Sequence, residues 1–295
     1  MKNKKISIII TSIALILILA ILGMLVYGYY KKYTLDIPNP VVTMEVQNFG
    51  TIKIELYPEI APESVSNFVK LTNNGFYNGL KFHRVVDGFM IQGGDKEGTG
   101  SGNVTFADLY KQDEENAKYS YTDGTDAKAT SAYAIPGEFI ANGYTNNNLN
   151  LTAGTIAMAR SDYTSYSSTL YKESYNSAGS QFFIMTTDNY TNLSGYYAGF
   201  GKVIEGMDIV EKIEKVECQV ASSGTEEETE ETEDTEDTEE TTANEETGEK
   251  SSPIEDVIIS SVSVETYGVD YGTPKTLVPF NYTKWLYSLY GLPYN

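Results

Sequence analysis

The sequence predicts a mainly β domain, closed as a barrel, that follows an N-terminal transmembrane helix. Many short strand patterns separated by turn residues, with only two clear helix patterns lying far apart, favour a closed β-barrel. An uncharged and mostly apolar run from Ile6 to Tyr30 predicts the transmembrane helix, because about 20 such residues span a bilayer.

The N-terminal apolar run has basic residues on both sides. Three lysines within residues 1–5 precede it, and Lys31 and Lys32 follow its aromatic end. A cleaved signal peptide is the alternative, but its apolar core is usually shorter, about 7–15 residues. We therefore predict an uncleaved anchor over residues 1–30 of a single-pass cell-membrane protein, with the folded domain outside the cytoplasm. Residues 31–40, which include two prolines, are predicted to form a short extended stalk.

The spacing of apolar residues predicts the elements of the domain. Alternation of apolar and polar residues from Val41 to Leu56, interrupted by a turn at 48–50, predicts a half-buried β-hairpin. An apolar face, an early proline and a terminal glycine predict a helix from 61 to 73. A second helix is predicted at about 207–216, and a closing strand at 257–265.

The composition supports a folded domain with one acidic segment. Hydrophobic residues make up 41% of the chain, enough for a real core. The formal charge of -20 is concentrated, because residues 226–249 hold fourteen acidic residues and no basic one. This Thr/Glu repeat and its flanks, 221–252, are predicted to be a disordered insertion in the domain. An acidic chain argues against nucleic acid as a partner, because binding to phosphates needs lysines and arginines.

Metal and disulfide chemistry is limited by the residue counts. The chain has one cysteine, Cys218, and one histidine, His83. A single cysteine excludes an intramolecular disulfide, and the two residues are too few for a structural zinc site with four such ligands. His83 would be the base of any Ser-His-Asp triad, but no nucleophile-elbow sequence accompanies it. We therefore expect neither a metal nor a cofactor.

The stretch from Phe82 to Asp95 combines charge, apolar surface and a neutral amide. It places a permanent cation, Arg84, close to two large apolar side chains, Phe89 and Met90, and to Gln92. A guanidinium presents a planar fork of donors, and its hydrogen bonds are stronger beside an apolar wall than in water. This combination suits a neutral ligand that is rich in carbonyl groups and partly apolar, such as a peptide.

Four blocks together resemble one protein family. Residues 82–95 read F-H-R-x-x-x-G-F-M-x-Q-G-G-D, and the blocks at 154–160, 177–184 and 200–207 contain G-x-x-x-M-A-R, G-S-Q-F-F-I and F-G-x-V-x-x-G-M. These patterns are similar to those of the cyclophilins, which are peptidyl-prolyl cis-trans isomerases, over residues 41–265. The resemblance implies an eight-stranded antiparallel β-barrel with a helix capping each open end. We expect a monomer whose partners are proline-containing segments of unfolded or exported proteins.

The reaction implied by the resemblance indicates which side chains matter. When an X-Pro amide twists, the prolyl nitrogen regains a lone pair, so a donor aimed at it stabilises the twisted state over either planar state. Arg84 is predicted to be this catalytic donor, and Gln92 to position Arg84 or the rotating carbonyl. The resemblance implies that the other site residues bind the peptide: His83 at the pocket edge, Phe89, Met90, Phe183 and Leu193 around the proline ring, and Ala159, Arg160, Gln181 and Tyr197 along the chain.

Departures from the family pattern leave alternatives open. Many members have an aromatic residue where this chain has Asn192, with Tyr190 as the nearest replacement, and a tyrosine stands near 196–197 where a histidine is common. These changes put cyclosporin affinity in doubt more than isomerase activity. The alternative function is a proline-peptide-binding chaperone or scaffold module with little turnover. A third is a structural surface protein that presents the acidic insertion.

Two stretches exceed what a minimal barrel needs. Residues 97–148 are rich in Tyr, Asn, Gly and Asp, and are predicted to form surface loops around the site. A role in selecting substrates is the alternative, because tyrosine supplies contact area at low entropic cost. The aromatic C-terminal tail, 266–295, is expected to pack against the barrel, with contact to a membrane surface as the alternative.

Overall fold

A computed structural model of the chain describes residues 2–34, 38–111, 117–220 and 249–294. The chain divides into two compact units, Met1–Pro38 and Asn39–Asn295. The described helices, in chain order, are α1 (Lys2–Thr34), α2 (Pro62–Asn73), α3 (Phe106–Tyr110), α4 (Tyr171–Tyr175), α5 (Met207–Glu214) and α6 (Tyr282–Leu289). The described strands are β1 (Val41–Val46), β2 (Gly50–Leu56), β3 (Arg84–Val86), β4 (Met90–Gly93), β5 (Tyr119–Ser120), β6 (Asp126–Ala127), β7 (Thr155–Met158), β8 (Phe182–Met185), β9 (Gly199–Glu205), β10 (Cys218–Val220), β11 (Lys250–Pro253) and β12 (Ile259–Glu265).

The first unit holds helix α1, which covers the run that was predicted to be a transmembrane helix. In the part of the chain that the structure describes, no helix is both long enough and apolar enough to cross a membrane, so this prediction is wrong. The helix runs to Thr34, into the predicted stalk, and residues 35–37 lie outside the described residues.

The second unit is built on one eight-stranded antiparallel sheet. Its strand order is β12-β1-β2-β9-β7-β8-β4-β3. The predicted hairpin is confirmed as β1 and β2, whose residues alternate between buried and half-buried positions as a period of two requires. The two predicted helices are confirmed as α2 and α5, which pack their apolar residues into the same core as the sheet.

The sheet is an open half-barrel, so the predicted closed barrel is wrong. Strands β3 and β12 are its two edges, and a single bridge, between Lys81 and Ile258, links the chain near them. That bridge lies before β3 begins at Arg84, so no ladder joins the edges. The hairpin of β10 and β11 lies beside β3 instead, where the Cys218 thiol is 3.8 Å from the Val85 carbonyl oxygen.

The β10–β11 hairpin also bounds the predicted acidic insertion. Residues 221–248 lie outside the described residues. The last three residues of the segment predicted to be disordered, 250–252, belong to β11, which pairs in antiparallel fashion with β10. The two ends of the insertion are therefore held together beside strand β3.

Helix α2 begins at a proline and is capped by a distant carboxylate. Its N-cap residue, Ala61, has no side-chain oxygen to offer. The buried carboxylate of Glu138 instead accepts hydrogen bonds from the backbone N–H groups of Glu63 (2.9 Å) and Ser64 (2.8 Å) and from the Ser64 hydroxyl (2.7 Å). Burial raises the pKa of Glu138, although these same hydrogen bonds oppose the rise.

We expect Glu138→Ala to lower the free energy of unfolding by about 2–3 kcal/mol, because it removes the helix cap and leaves buried donors at Ser64 unpaired. Chemical denaturation of both proteins measures the change. The control is Glu205→Ala, which removes an exposed carboxylate from an ion pair with Lys53 and should cost less than about 1 kcal/mol. Equal losses in the two variants would contradict the capping role.

Candidate active site

Strand register places the predicted site residues on the outer face of the sheet. In β3 and β4, Arg84 lies opposite Gln92, and Val86 lies opposite Met90. Successive residues of a strand point to opposite faces, so the intervening Val85 and Ile91 enter the core. In β8, Phe183 pairs with Gln92 and Met185 pairs with Met90, which extends the same outer face across the next strand.

An apolar cluster forms on this outer face, separate from the main core. Its buried members are Met90, Leu151, Ala157, Phe183 and Met185, with Val86, Phe89, Ala159, Leu193 and Tyr197 packed around them. The rings of Phe183 and Tyr197 meet edge to face, with centroids 5.4 Å apart. Tyr190 packs on Phe89 at a centroid distance of 4.4 Å, so an aromatic ring does stand beside the cluster although residue 192 is asparagine.

Arg84 lies at the rim of this cluster. Its Nη1 atom is 3.9 Å from the Met90 sulfur, and its guanidinium carbon is 6.0 Å from the centre of the Phe89 ring. Its Nη2 atom forms an ion pair with Glu249 at 2.9 Å. Glu249 is the last residue of the acidic run and was not predicted to belong to the site, because it lies 165 positions from Arg84 in sequence.

A chain of amide contacts holds Gln92. Its Nε2 atom donates to Oε1 of Gln181 at 3.0 Å, and Nε2 of Gln181 donates to the carbonyl oxygen of Gly100 at 3.0 Å. The loop that carries Gly100 is organised by Asp95, whose carboxylate accepts hydrogen bonds from the backbone N–H groups of Glu97, Thr99, Gly100 and Gly102. Asp95 thus positions Gln92 through this loop and Gln181.

The charge on Asp95 is stabilised by the loop that it organises. Burial alone raises the pKa of Asp95, but hydrogen bonds from the backbone N–H groups of Glu97, Gly102 and Gly100 outweigh it and hold the pKa below its ordinary value. The loop needs a glycine at 102, because a Cβ atom there would meet the Asp95 carboxylate. In the sequence, Asp95 was noted only as the last residue of the motif at 82–95, and its role in organising the loop was not predicted.

Arg160 is held by aromatic rings on the other side of the cluster. Its guanidinium carbon lies 4.5 Å from the centre of the Tyr197 ring and 5.1 Å from that of Tyr175. Its Nε atom donates to the Tyr196 carbonyl oxygen at 3.1 Å. These contacts fix the direction of the guanidinium beside Ala159, whose N–H donates to the carbonyl oxygen of Gln181.

His83 is buried and lies just before strand β3 begins. Its side chain is 8% exposed, and neither ring nitrogen has a hydrogen-bond partner among the described residues. Burial lowers its pKa, and the nearby cations Lys81 and Arg84 act in the same direction, while Asp95 opposes them. The imidazole is therefore uncharged at neutral pH, and the described contacts do not join it to the apolar cluster.

The structure thus brings most of the predicted residues into one place. Phe89, Met90, Ala159, Phe183, Leu193 and Tyr197 share the apolar cluster, Arg84 and Gln92 flank it on neighbouring strands, and Gln181 and Arg160 border it. Sequence reasoning missed four cluster members, Val86, Leu151, Ala157 and Met185. A signal for two of them exists, because Ala157 and Met185 lie two residues from Ala159 and Phe183 and so share their strand faces.

This arrangement defines a class of site: an apolar cluster on one face of a sheet with a guanidinium at its rim. The family model of the cyclophilin type peptidyl-prolyl cis-trans isomerases matches residues 41–264. The chain therefore belongs to this family. Its activity is the cis-trans isomerisation of peptidyl-prolyl bonds.

The chain is similar in sequence to individual members of this family. The chain is 41% identical over 179 residues to a peptidyl-prolyl cis-trans isomerase of Acinetobacter baylyi, covering 59% of this chain and 72% of the relative. It is 36% identical over 174 residues to peptidyl-prolyl cis-trans isomerase B of Escherichia coli, covering 57% and 80%. A crystal structure of the cyclophilin type isomerase of Cryptosporidium parvum, determined in the presence of the dipeptide Ala-Pro, is 23% identical with a TM-score of 0.48, covering 76% and 98%.

Proposed function

We propose that the apolar cluster holds the proline ring of the substrate while Arg84 donates a hydrogen bond to the prolyl nitrogen as the X-Pro bond rotates. One observation carries this proposal: the Arg84 guanidinium stands at the rim of the cluster, 3.9 Å from the Met90 sulfur. The donor is therefore beside the place where the ring would sit. Gln92, held by Gln181, lies opposite Arg84 and would fix the rotating carbonyl.

The chemistry needs no nucleophile and no proton transfer. The barrier to rotation is about 18–20 kcal/mol, because the planar amide is conjugated. As the bond twists, the prolyl nitrogen loses conjugation and becomes a hydrogen-bond acceptor, which the planar states do not offer. A donor already in place therefore stabilises the twisted state selectively and lowers the barrier. An uncharged His83 is consistent with a mechanism that uses no general base.

The test of this function is the rate of cis-trans exchange in a short X-Pro peptide, measured by NMR with catalytic amounts of the full chain. Uncatalysed exchange takes tens to hundreds of seconds, so acceleration is easily detected. The proposal requires acceleration that saturates with peptide concentration. Binding of the peptide without acceleration would favour the alternative, a binding module with little turnover.

We also propose that the substrates are proline-containing segments of unfolded exported or surface proteins, and that the domain acts outside the cytoplasm as a monomer. The lysines within residues 1–5, placed before an uncharged run, support export of the domain. Protease added to intact cells should degrade the domain, and complete protection would contradict this location.

The ion pair between Glu249 and Arg84 leads to a separate prediction about kcat/KM. Glu249 occupies one Nη of Arg84, so it competes with the substrate for that donor. An exposed ion pair is worth about 0.2–1 kcal/mol, so we expect Glu249→Gln to raise kcat/KM by up to about fivefold at low ionic strength. The gain should disappear near 1 M salt, where the screening length is about 3 Å.

The matched control for Glu249 is Glu255→Gln, which removes the same charge from another exposed position beyond β11. Its kcat/KM should stay close to that of the wild type. A similar increase in both variants would mean that net charge, and not the contact with Arg84, limits the rate.

A further inference from the structure

A short turn joins strands β3 and β4 and carries one residue of the apolar cluster. The turn consists of Asp87, Gly88 and Phe89. The backbone of Phe89 is bonded on the sheet side, because its N–H donates to the Val86 carbonyl oxygen at 3.1 Å and its carbonyl oxygen accepts from the Thr186 N–H at 3.0 Å. Asp87 and Gly88 are exposed, so the outer half of the turn must be held by other contacts.

The position of Phe89 affects both parts of the proposed site. Its ring packs against the apolar cluster and against the ring of Tyr190, with centroids 4.4 Å apart. The guanidinium carbon of Arg84 lies 6.0 Å from the centre of the same ring. A shift of the turn would therefore move a wall of the apolar cluster and the surface beside the proposed donor.

The outer half of the turn is held by the end of helix α5. Oε1 of Glu214 accepts a hydrogen bond from the Gly88 N–H at 2.8 Å, and the Glu214 side chain is only 7% exposed. Gly88 has a φ of 71°, a conformation that favours glycine. The next residue of the chain, Lys215, forms an ion pair with Asp87, and its Nζ atom lies 3.6 Å from Oε2 of Glu214. Both exposed residues of the turn are thus tied to the end of α5.

The place of Glu214 is unfavourable for stability alone. Burying a carboxylate costs free energy, and a negative charge at the C-terminal end of a helix opposes the helix dipole. The other buried residues of α5 are apolar: Ile209, Val210 and Ile213. The contact that distinguishes Glu214 from these neighbours is its hydrogen bond to the turn.

We infer that Glu214 is a positioning residue of the site, which holds the Gly88 N–H and thereby keeps the turn and the Phe89 ring in place against the apolar cluster. This inference rests on the proposed function, because it assumes that the proline ring occupies that cluster. Phe89 then contacts the proline ring in the planar and in the twisted states alike. Displacing Phe89 therefore weakens substrate binding and raises KM, with little effect on kcat.

The test is Glu214→Met in the full chain, which removes the acceptor and keeps a side chain of similar volume. Replacing a buried charged residue by an apolar one of similar volume is often neutral for stability, so this variant should fold. We expect KM for exchange of an Ala-Pro peptide and the dissociation constant of that peptide to rise about three- to tenfold, the range of a typical hydrogen bond. NMR exchange and fluorescence titration measure the two values, and kcat should stay within about twofold of the wild type.

Two further variants isolate the contact with Gly88. Glu214→Gln keeps an acceptor oxygen and should retain a KM close to that of the wild type. The matched control is Glu211→Ala, which removes an exposed carboxylate from the same helix and should change neither value. Hydrogen exchange of the Gly88 amide should become faster in Glu214→Met and not in the other two variants. Thermal unfolding verifies that all three are folded.

Three results would overturn the inference. An unchanged KM in Glu214→Met would show that Phe89 keeps its place without the contact. An equal rise of KM in Glu214→Gln and Glu214→Met would assign the effect to the lost charge and not to the contact with Gly88. A fall in kcat at constant KM would contradict a role in substrate binding.

The binding measurement separates this inference from the proposed function. If the dissociation constant rises in Glu214→Met and not in Glu214→Gln, but the wild type does not accelerate exchange, the positioning role stands and the enzymatic proposal fails. If the wild type accelerates exchange but Glu214→Met changes neither KM nor the dissociation constant, the enzymatic proposal stands and the positioning role is refuted.

Discussion

Arg84→Ala is expected to lower kcat/KM for X-Pro exchange by about 10²–10³-fold, the usual effect of removing one donor that acts on the transition state. Arg84 stands beside the apolar cluster, and its planar fork of donors remains charged at any working pH. Binding of a proline peptide should weaken much less than the rate falls, because the donor acts chiefly on the twisted state. NMR exchange and fluorescence titration of the same peptide measure the two effects.

The control for Arg84 is Lys53→Ala, which removes an exposed cation that forms an ion pair with Glu205, away from the site. This variant should retain full activity. Arg84→Lys should remain strongly impaired, because an ammonium group is a compact point donor and lacks the planar fork. A folded Arg84→Ala protein that keeps most of its rate would remove Arg84 from the mechanism.

Asp95→Asn is expected to lower the free energy of unfolding by about 2–4 kcal/mol, because the carboxylate accepts hydrogen bonds from four backbone N–H groups. The substitution replaces one acceptor oxygen by a donor and removes the charge without changing the volume. The loop that these bonds organise contains Gly100, whose carbonyl oxygen holds Gln181. We therefore expect kcat/KM to fall as well, which a purely remote structural residue would not cause.

The pKa of Asp95 gives this prediction a pH dependence. The folded state lowers the pKa, so the ionised carboxylate stabilises the fold above the unfolded pKa of about 3.9, and this contribution is lost as pH falls through the lower, folded value. The stability difference between wild type and Asp95→Asn should thus be largest at neutral pH and shrink below about pH 4. The control Asp208→Asn, at an exposed helix position, should differ little from wild type. A difference that does not change with pH would contradict the role of the charge.

Local patterns predicted strands and helices of the domain, but not whether the two edge strands of the sheet pair with each other. The hairpin of β1 and β2 follows from alternation that a period of two imposes on neighbouring residues. Whether β3 meets β12 depends on where each strand starts relative to a bridge at Lys81 and Ile258, and no local pattern encodes that offset. The prediction of a closed barrel failed for this reason.

The N-terminal prediction rested on the length of the apolar run and on its basic and aromatic flanks. Counting the run from Ile6 to Tyr30 gave a spanning length, whereas the described part of the chain includes no helix that meets the requirement. The length of an apolar run describes only the composition of that part of the chain. It does not by itself establish a spanning helix.

The sequence by itself determined the chemistry of the site, because Arg84, Met90 and Gln92 lie on two short strands and Phe89 lies in the tight turn that joins them. Their common face follows from strand alternation over nine residues. Only the tertiary structure decided which distant groups meet: Glu249 and Arg84, Glu138 and the start of α2, and Gln181 and Gln92. These contacts join residues far apart in sequence, and chain folding, which no local periodicity records, brings them together.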